Sequence, residues 1–89
     1  MRQPTYTTQF ERDLRRMRRR GKDLSKIKDV LAVLIDGEPL AARHHDHILV
    51  GNYVGRRECH IEPNWLLIYK LAEDEIIFER TGTHSDLFE

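Results

Sequence analysis

The chain has 89 residues, which is enough for one modest hydrophobic core, and we expect a single domain over residues 1–89. Hydrophobic residues make up 39% and charged residues 34%, a balance that excludes disordered and membrane-spanning chains. The N-terminal residues lack the apolar stretch of a signal peptide, and the single cysteine excludes an internal disulfide. We therefore expect a cytoplasmic protein that makes no membrane contact.

The zero net charge conceals two oppositely charged parts. Residues 1–28 hold ten Lys and Arg against three Asp and Glu, a net +7, and residues 29–89 hold five against twelve, a net −7. A basic segment of this kind can bind a phosphate backbone. It is equally compatible with an ordinary solvated helix, so charge alone leaves both interpretations open.

An amphipathic helix is predicted from Thr8 to Arg20. Phe10, Leu14 and Met17 fall at positions i, i+4 and i+7, and arginines occupy most of the remaining surface. Gly21 can adopt the left-handed conformation that ends a helix. The first helix is therefore expected to bury one apolar face.

A second helix is predicted before Pro39, where the chain can no longer continue a helix. Asp23 or Ser25 can cap its start, and Gly37 can end it. Its apolar positions repeat with the helical period and are Ile27, Val30, Leu31, Leu34 and Ile35. The short connection predicts an antiparallel helical hairpin.

After Pro39 the apolar period becomes two, which is typical of strands. The predicted strands are 48–53, 56–62, 65–71 and 75–81, with an edge strand at Tyr6 as a possible fifth. The side chains predicted to lie under the helices are Leu67, Tyr69, Ile76 and Phe78. The predicted fold class is α+β, an N-terminal helical hairpin packed on a mainly antiparallel four- to five-stranded sheet.

Histidines are the outstanding candidates for chemistry because an unperturbed imidazole can give or take a proton near neutral pH. All five lie after residue 43. RNA cleavage without a metal needs a base for the 2′-hydroxyl, an acid for the leaving 5′-oxygen and a cation for the phosphorane. His47, His60 and His84 with Arg80 would supply all three.

The second predicted strand determines which face of the sheet His60 and its neighbours occupy. Regular alternation places Arg56, Glu58 and His60 on one face and Cys59 on the other. One surface then carries a cation, a carboxylate and an imidazole. Cys59 is expected to be a small buried hydrophobe rather than a nucleophile.

The histidines also allow interpretations other than catalysis. A strand histidine is commonly a packed or hydrogen-bonded surface residue. His45 and His47 are spaced as on one strand face, but no further pair has the spacing of a local ligand motif, so we expect no metal site. His44 and His45 are predicted to be solvent-exposed loop residues.

Two aromatic residues are candidates for stacking on unpaired bases, which contributes about 1 to 3 kcal/mol per base. Trp65 begins a predicted strand, where a core position is the common alternative. Phe88 is next to the C-terminal residue, where side chains are seldom buried unless the tail docks.

Several spaced motifs resemble the YafQ branch of the RelE/ParE toxin superfamily. They are the segments 46–51 (DHILVG), 57–65 (RECHIEPNW), 67–71 (LIYKL) and 78–88 (FERTGTHSDLF). The resemblance implies a RelE-like fold and the toxin of a type II toxin-antitoxin system. It also implies a ribosome-dependent endoribonuclease that cuts translated mRNA without a cofactor. The implied partners are a cognate antitoxin, the ribosome and mRNA, and operator DNA bound through the antitoxin in a hetero-oligomer.

The resemblance also implies roles for individual residues. It assigns catalysis to His47, His60 and His84, and RNA contacts to Arg80 on the phosphate and Phe88 near the substrate. We further expect RNA contacts from two other residues, Trp65 and Arg57.

Position 64 departs from the family pattern, which usually has a catalytic aspartate there. Asn64 can hydrogen-bond but cannot act as a carboxylate base. We include it among the catalytic positions and keep three alternatives open. One is a weak or inactive relative that only binds an antitoxin, one is a ParE-like gyrase inhibitor, and one is a generic RNA binder acting through the first helix.

Overall fold

The computed structural model describes residues 1–88. The helices are α1 (Thr8–Arg19), α2 (Leu24–Ile35) and α3 (His84–Phe88). The strands are β1 (Gln3–Tyr6), β2 (His47–Ile48), β3 (Arg57–Glu62), β4 (Trp65–Leu71) and β5 (Glu75–Gly82). Short 3₁₀ turns cover Ala42–His44 and Gly51–Tyr53. In residues 1–88, no helix has the length and apolar character needed to cross a membrane.

The predicted helical hairpin is confirmed. The Thr7 hydroxyl accepts a hydrogen bond from the Phe10 amide at 3.0 Å, and the Asp23 carboxylate caps α2 through the Ser25 amide at 3.0 Å. These bonds satisfy amides that have no partner within their own helix. Gly21 has φ 85°, the left-handed conformation predicted between the two helices.

The sheet has the order β1-β5-β4-β3-β2. β1 runs parallel to β5, and all other neighbours are antiparallel, which confirms the mainly antiparallel prediction. β1 pairs with β5 only from Glu75 to Phe78, so the later part of β5 lies beside α1 instead.

The sheet is covered on both faces, but unequally. The helices cover one face, where all four predicted side chains lie in the core, namely Leu67, Tyr69, Ile76 and Phe78. On the opposite face, Leu87 of α3 packs against Leu66 and Ile68. This second, smaller cluster fixes α3 on the face that carries the histidines.

The predicted strand over residues 48–53 is wrong beyond its first residue. The chain leaves β2 after Ile48 and turns through 51–53, with Gly51 at φ 75° and Gly55 at φ 84°. The β-branched residues that suggested a strand are exposed: Ile48 is 66% and Val50 83% accessible to solvent. Apolar character here reflects exposed surface and not a sheet face.

Candidate active site

Glu58 lies between two of the predicted catalytic histidines. Strand pairing sets His47 of β2 opposite Glu58 of β3, and His60 follows two residues later on the same face. One oxygen, Glu58 Oε1, is 3.1 Å from His47 Nε2 and 3.4 Å from His60 Nε2. The Glu58 side chain is only 7% exposed, so little water competes for its contacts with the two imidazoles.

His47 is held at both ring nitrogens. Its Nδ1 is 3.3 Å from the backbone carbonyl of Ile48, and its Nε2 faces Glu58. An imidazole donates to two oxygen acceptors at once only when it carries a second proton. Both ring nitrogens of His47 therefore face oxygen atoms of the protein.

His84 pairs with the residue at the divergent position. The Asn64 side-chain oxygen accepts hydrogen bonds from the His84 amide at 3.0 Å and from His84 Nδ1 at 2.7 Å. The amide contact fixes which end of the Asn64 side chain faces the ring, and the ring contact fixes Nδ1 as a donor. His84 Nε2 is then the nitrogen available to a substrate.

The three predicted catalytic histidines lie on one surface. The ring centroids of His60 and His84 are 6.0 Å apart, and Glu58 connects His60 to His47. Phe88 lies at the far end, with its ring 6.3 Å from that of His84 and 5.5 Å from that of Tyr53. It is 44% exposed, so part of the ring is open to a ligand.

A capping box holds α3 in place. The Asp86 carboxylate accepts from the Thr83 amide at 2.9 Å, and the Thr83 hydroxyl accepts from the Asp86 amide at 3.2 Å. Hydrogen bonding to Arg20, at the end of α1, is the main cause that keeps the pKa of Asp86 well below its usual range. Gly82 lies close behind, because a Cβ there would come within 2.9 Å of the Asp86 side chain.

Arg80 lies in the same cross-strand row as Glu58, since both pair with Ile68 of β4. Two strand spacings, about 10 Å, separate the two backbones. The Arg80 guanidinium is held by Asp13 of α1, with Nε 2.7 Å from Asp13 Oδ2. Hydrogen bonding to Asp13 raises the pKa of Arg80, so its charge is permanent.

Asp13 itself was not predicted from the sequence. It is 1% exposed and also accepts a hydrogen bond from the Thr81 amide at 3.1 Å. That amide lies beyond the end of β1, on the edge of β5 that no longer has β1 as its neighbour. Asp13 therefore has two roles: it supplies a hydrogen-bond acceptor to the open edge of β5, and it positions Arg80.

Two predicted RNA contacts need correction. Trp65 is fully buried, and its indole nitrogen donates to the Thr81 hydroxyl at 2.9 Å, so neither ring face is open to a base. Arg57 pairs with Asp46 at 3.3 Å and lies on the helix side of the sheet, opposite Tyr69. The strand that carries His60 turns Arg57 the other way.

Of the two loop histidines, His45 is exposed as predicted and His44 is half-buried. His44 Nδ1 donates to the His60 backbone carbonyl at 2.7 Å, and the His45 ring lies 5.4 Å from that of His60. Neither is an isolated loop residue. Cys59 is fully buried as predicted, and burial raises the pKa of its thiol far above the usual range.

The fold brings together possible metal ligands that residue spacing in the sequence did not reveal. One ligand atom each from His47, Glu58 and His60 can be chosen so that all three lie within 4.8 Å of one another. Two imidazoles and a carboxylate form a donor set that transition metals accept. Residue spacing pointed away from a metal because β2 and β3 bring the ligands together across the sheet.

Comparison with known proteins identifies the family. The family model described as the bacterial toxin of type II toxin-antitoxin systems, YafQ, matches residues 2–89. The chain belongs to the YafQ family. It is thus a toxin of a type II system, as the motifs of the sequence imply.

Relatives of this YafQ-family toxin extend over nearly the whole chain. The mRNA interferase toxin YafQ of Escherichia coli K12 is 44% identical over 84 residues, which cover 93% of this chain and 91% of that protein. The E. coli DinJ-YafQ complex contains a chain that is 42% identical, with a TM-score of 0.93 and complete coverage of both chains. A metal-bound toxin from Helicobacter pylori is 34% identical, with a TM-score of 0.92 over 99% of this chain and all of that one.

Proposed function

We propose that this YafQ-family toxin is an endoribonuclease that cuts translated mRNA on the ribosome by acid-base catalysis. The observation that carries the proposal is that His47 and His60 flank the buried Glu58 while His84 lies beside His60, all on one face of the sheet. Such a surface offers several proton-transfer groups within reach of one phosphodiester. The name of the E. coli relative, an mRNA interferase, supports the same activity.

The proton transfers follow from which ring nitrogens are free. His84 donates a proton from Nε2 to the leaving 5′-oxygen, while its Nδ1 stays bound to Asn64. His60 takes the proton of the attacking 2′-hydroxyl, and Glu58 orients it and stabilises the imidazolium that results. His47 is the other candidate for the base, but the contacts of both its ring nitrogens favour a role in charge stabilisation.

Arg80 and Phe88 complete the proposed substrate contacts. Arg80 stabilises the negative charge that develops on the phosphorane, and Asp13 fixes the side chain from behind. Phe88 offers a partly open ring beside His84, on which the base after the cut can stack. Neither role extends to Trp65 or Arg57.

The proposal is tested by cleavage of mRNA in a reconstituted translation system. Replacing one proton-transfer group typically lowers the rate by about 10² to 10⁴. We expect this loss for His84→Gln and His60→Ala, with unchanged circular dichroism, and full activity for the exposed turn variant Glu73→Gln. Wild-type cleavage by either histidine variant would overturn the assignment.

We also propose a cognate antitoxin as the protein partner, since the E. coli relative is seen in a complex with DinJ. The basic face of α1 suits an acidic antitoxin segment. We further propose that the pair works in the cytoplasm and binds operator DNA through the antitoxin. Co-purification of the toxin with the protein of an adjacent gene tests the pairing, and a toxin recovered alone would contradict it.

Metal binding at His47, Glu58 and His60 is a second candidate property. It is supported by the compact donor set and by the metal-bound relative from H. pylori. The same groups serve the acid-base route, so a bound ion would inhibit cleavage. We expect added Zn²⁺ to slow the wild type, and a chelator that spares Mg²⁺ to leave its activity unchanged. Loss of cleavage on chelation would instead make the metal catalytic.

A further inference from the structure

A groove opens beside His60, and His84 is not among the residues that line it. Its volume is about 750 Å³, within the usual range of ligand pockets. Its lining includes His47 and His60 of the proposed site, Arg43, His44 and His45 of the preceding loop, and Pro63. The groove is therefore continuous with the proposed site. Arg43, His44 and His45, which also line it, have no part in the proposed proton transfers.

His45 is held in an unusual backbone conformation. Its φ of 46° and ψ of 49° are left-handed, a conformation that is unfavourable for a residue with a side chain. The His45 amide donates to the Ala42 carbonyl at 3.1 Å, and His44 is tied to the His60 carbonyl at 2.7 Å. These bonds keep the strained loop in place and set the exposed His45 ring 5.4 Å from that of His60.

The charges of the groove suit an anionic ligand. Glu62, the one carboxylate in its lining, is bound by Lys22 at 2.7 Å and Lys26 at 2.8 Å, and hydrogen bonding to them lowers its pKa. Arg43 is exposed and has no ion-pair partner within residues 1–88. The groove thus presents free cationic charge next to a planar ring, which is a combination that binds single-stranded nucleic acid.

The order of the imidazoles gives the groove a direction along the RNA. The His60 ring neighbours both other rings, at 6.0 Å from His84 and 5.4 Å from His45, and of these two only His45 lines the groove. In the proposed function, His84 serves the leaving nucleotide and His60 serves the nucleotide that carries the attacking 2′-hydroxyl. The groove, which is lined by His60 and not by His84, then lies next to the nucleotide on the 5′ side of the cut.

We propose that this groove is a base-binding subsite for that 5′-side nucleotide. His45 stacks on its base, and Arg43 binds the phosphate that precedes it. This inference rests on the proposed ribonuclease function for its direction. It makes His45 and Arg43 determinants of which mRNA positions are cut, while the proton transfers stay with His60 and His84.

The first test maps cut sites on translated mRNAs for the wild type, His45→Ala and the exposed α2 variant Lys28→Ala. We expect His45→Ala to change base preference at the 5′-side nucleotide at least five-fold, with no comparable change on the 3′ side. Lys28→Ala should match the wild type. An unchanged preference in His45→Ala would overturn the subsite while leaving the proposed cleavage intact.

The second test measures binding without cleavage. A short RNA with a 2′-deoxy nucleotide at the cut position cannot react, and its binding is followed by the NMR signals of the histidine rings and of the backbone amides. We expect shifts at His45, and binding at least five-fold weaker for His45→Ala and for Arg43→Ala than for Lys28→Ala. RNA that shifts only α1 signals would overturn the subsite. Binding at His45 by a protein that never cuts mRNA would support the subsite and overturn the proposed enzyme.

Discussion

The guanidinium of Arg20 contacts both carboxylate oxygens of Asp86, at 2.6 and 3.1 Å. This pair joins the end of α1 to the short helix α3, which carries His84 and Phe88. A five-residue helix has little stability of its own, so its position depends on such contacts. The residues that position the proposed acid therefore include one that lies 64 positions away in the sequence.

Replacing Asp86 should impair catalysis more than stability. Asp86→Ala removes both the ion pair and the capping box, and a displacement of about 1 Å at a catalytic group can cost about 10²-fold in rate. We expect a 10- to 100-fold lower cleavage rate, with about 1 kcal/mol lost from the free energy of unfolding. Arg19→Ala, a change to an exposed neighbour of Arg20, is the control and should retain activity. Full activity of Asp86→Ala would contradict the positioning role.

The same pair predicts a pH dependence of stability. The pKa of Asp86 lies below its ordinary value of 3.8, chiefly because of the Arg20 hydrogen bond. The ionised carboxylate therefore stabilises the fold at pH values above about 4, and this contribution disappears as pH falls towards the lowered pKa. Urea unfolding between pH 3 and 7 measures the difference in the free energy of unfolding between wild type and Asp86→Asn. We expect this difference, or gap, to be constant near neutrality and to narrow in acid. A gap that widens in acid would contradict the assignment.

Asp13 should be important for both folding and activity. Asp13→Ala leaves the Thr81 amide without its acceptor and frees Arg80 from its anchor. Because Arg80 is 24% exposed and retains some hydration, we expect a loss of about 2 to 3 kcal/mol in the free energy of unfolding. Glu11→Ala, on the exposed side of the same helix, should change it by less than about 0.5 kcal/mol. Equal stability of the two variants would refute the role of Asp13.

Asn64→Asp tests what the divergent position does. A carboxylate at this position would face His84 Nδ1, now 2.7 Å from the amide oxygen, and would stabilise the imidazolium that acts as the acid. We expect faster cleavage and an alkaline limb of the pH-rate profile that moves up by about one pH unit. Asn64→Ala is the matched control and should be slower than the wild type. No cleavage by either the wild type or Asn64→Asp would favour the binding roles, including gyrase inhibition.

Periodicity predicted the elements whose burial alternates regularly. The helical hairpin and strands β3, β4 and β5 agree with prediction to within three residues at each end. The segment after Ile48 did not follow, because its apolar side chains face solvent and its glycines turn the chain. The helix α3 is too short to show a period, so it was not predicted.

The site residues that belong to family motifs could be predicted from the sequence. The contacts between residues on different strands and helices could not. Proton chemistry and the family motifs singled out His47, His60 and His84. The bridging position of Glu58 and the anchoring of Arg80 depend on strand register and helix packing. Trp65 was misassigned because sequence cannot tell a stacking aromatic from a core one at the start of a strand.

Cleavage through the 2′-hydroxyl is tested most directly by the chemistry of the RNA ends. In the proposed route His60 deprotonates the 2′-hydroxyl and His84 protonates the 5′-oxygen, so each cut leaves a 2′,3′-cyclic phosphate and a 5′-hydroxyl. Mass spectrometry of products from a defined mRNA on ribosomes, with transition metals chelated, should find these ends. A 3′-hydroxyl with a 5′-phosphate, or cleavage next to a 2′-deoxy nucleotide, would contradict the histidine mechanism.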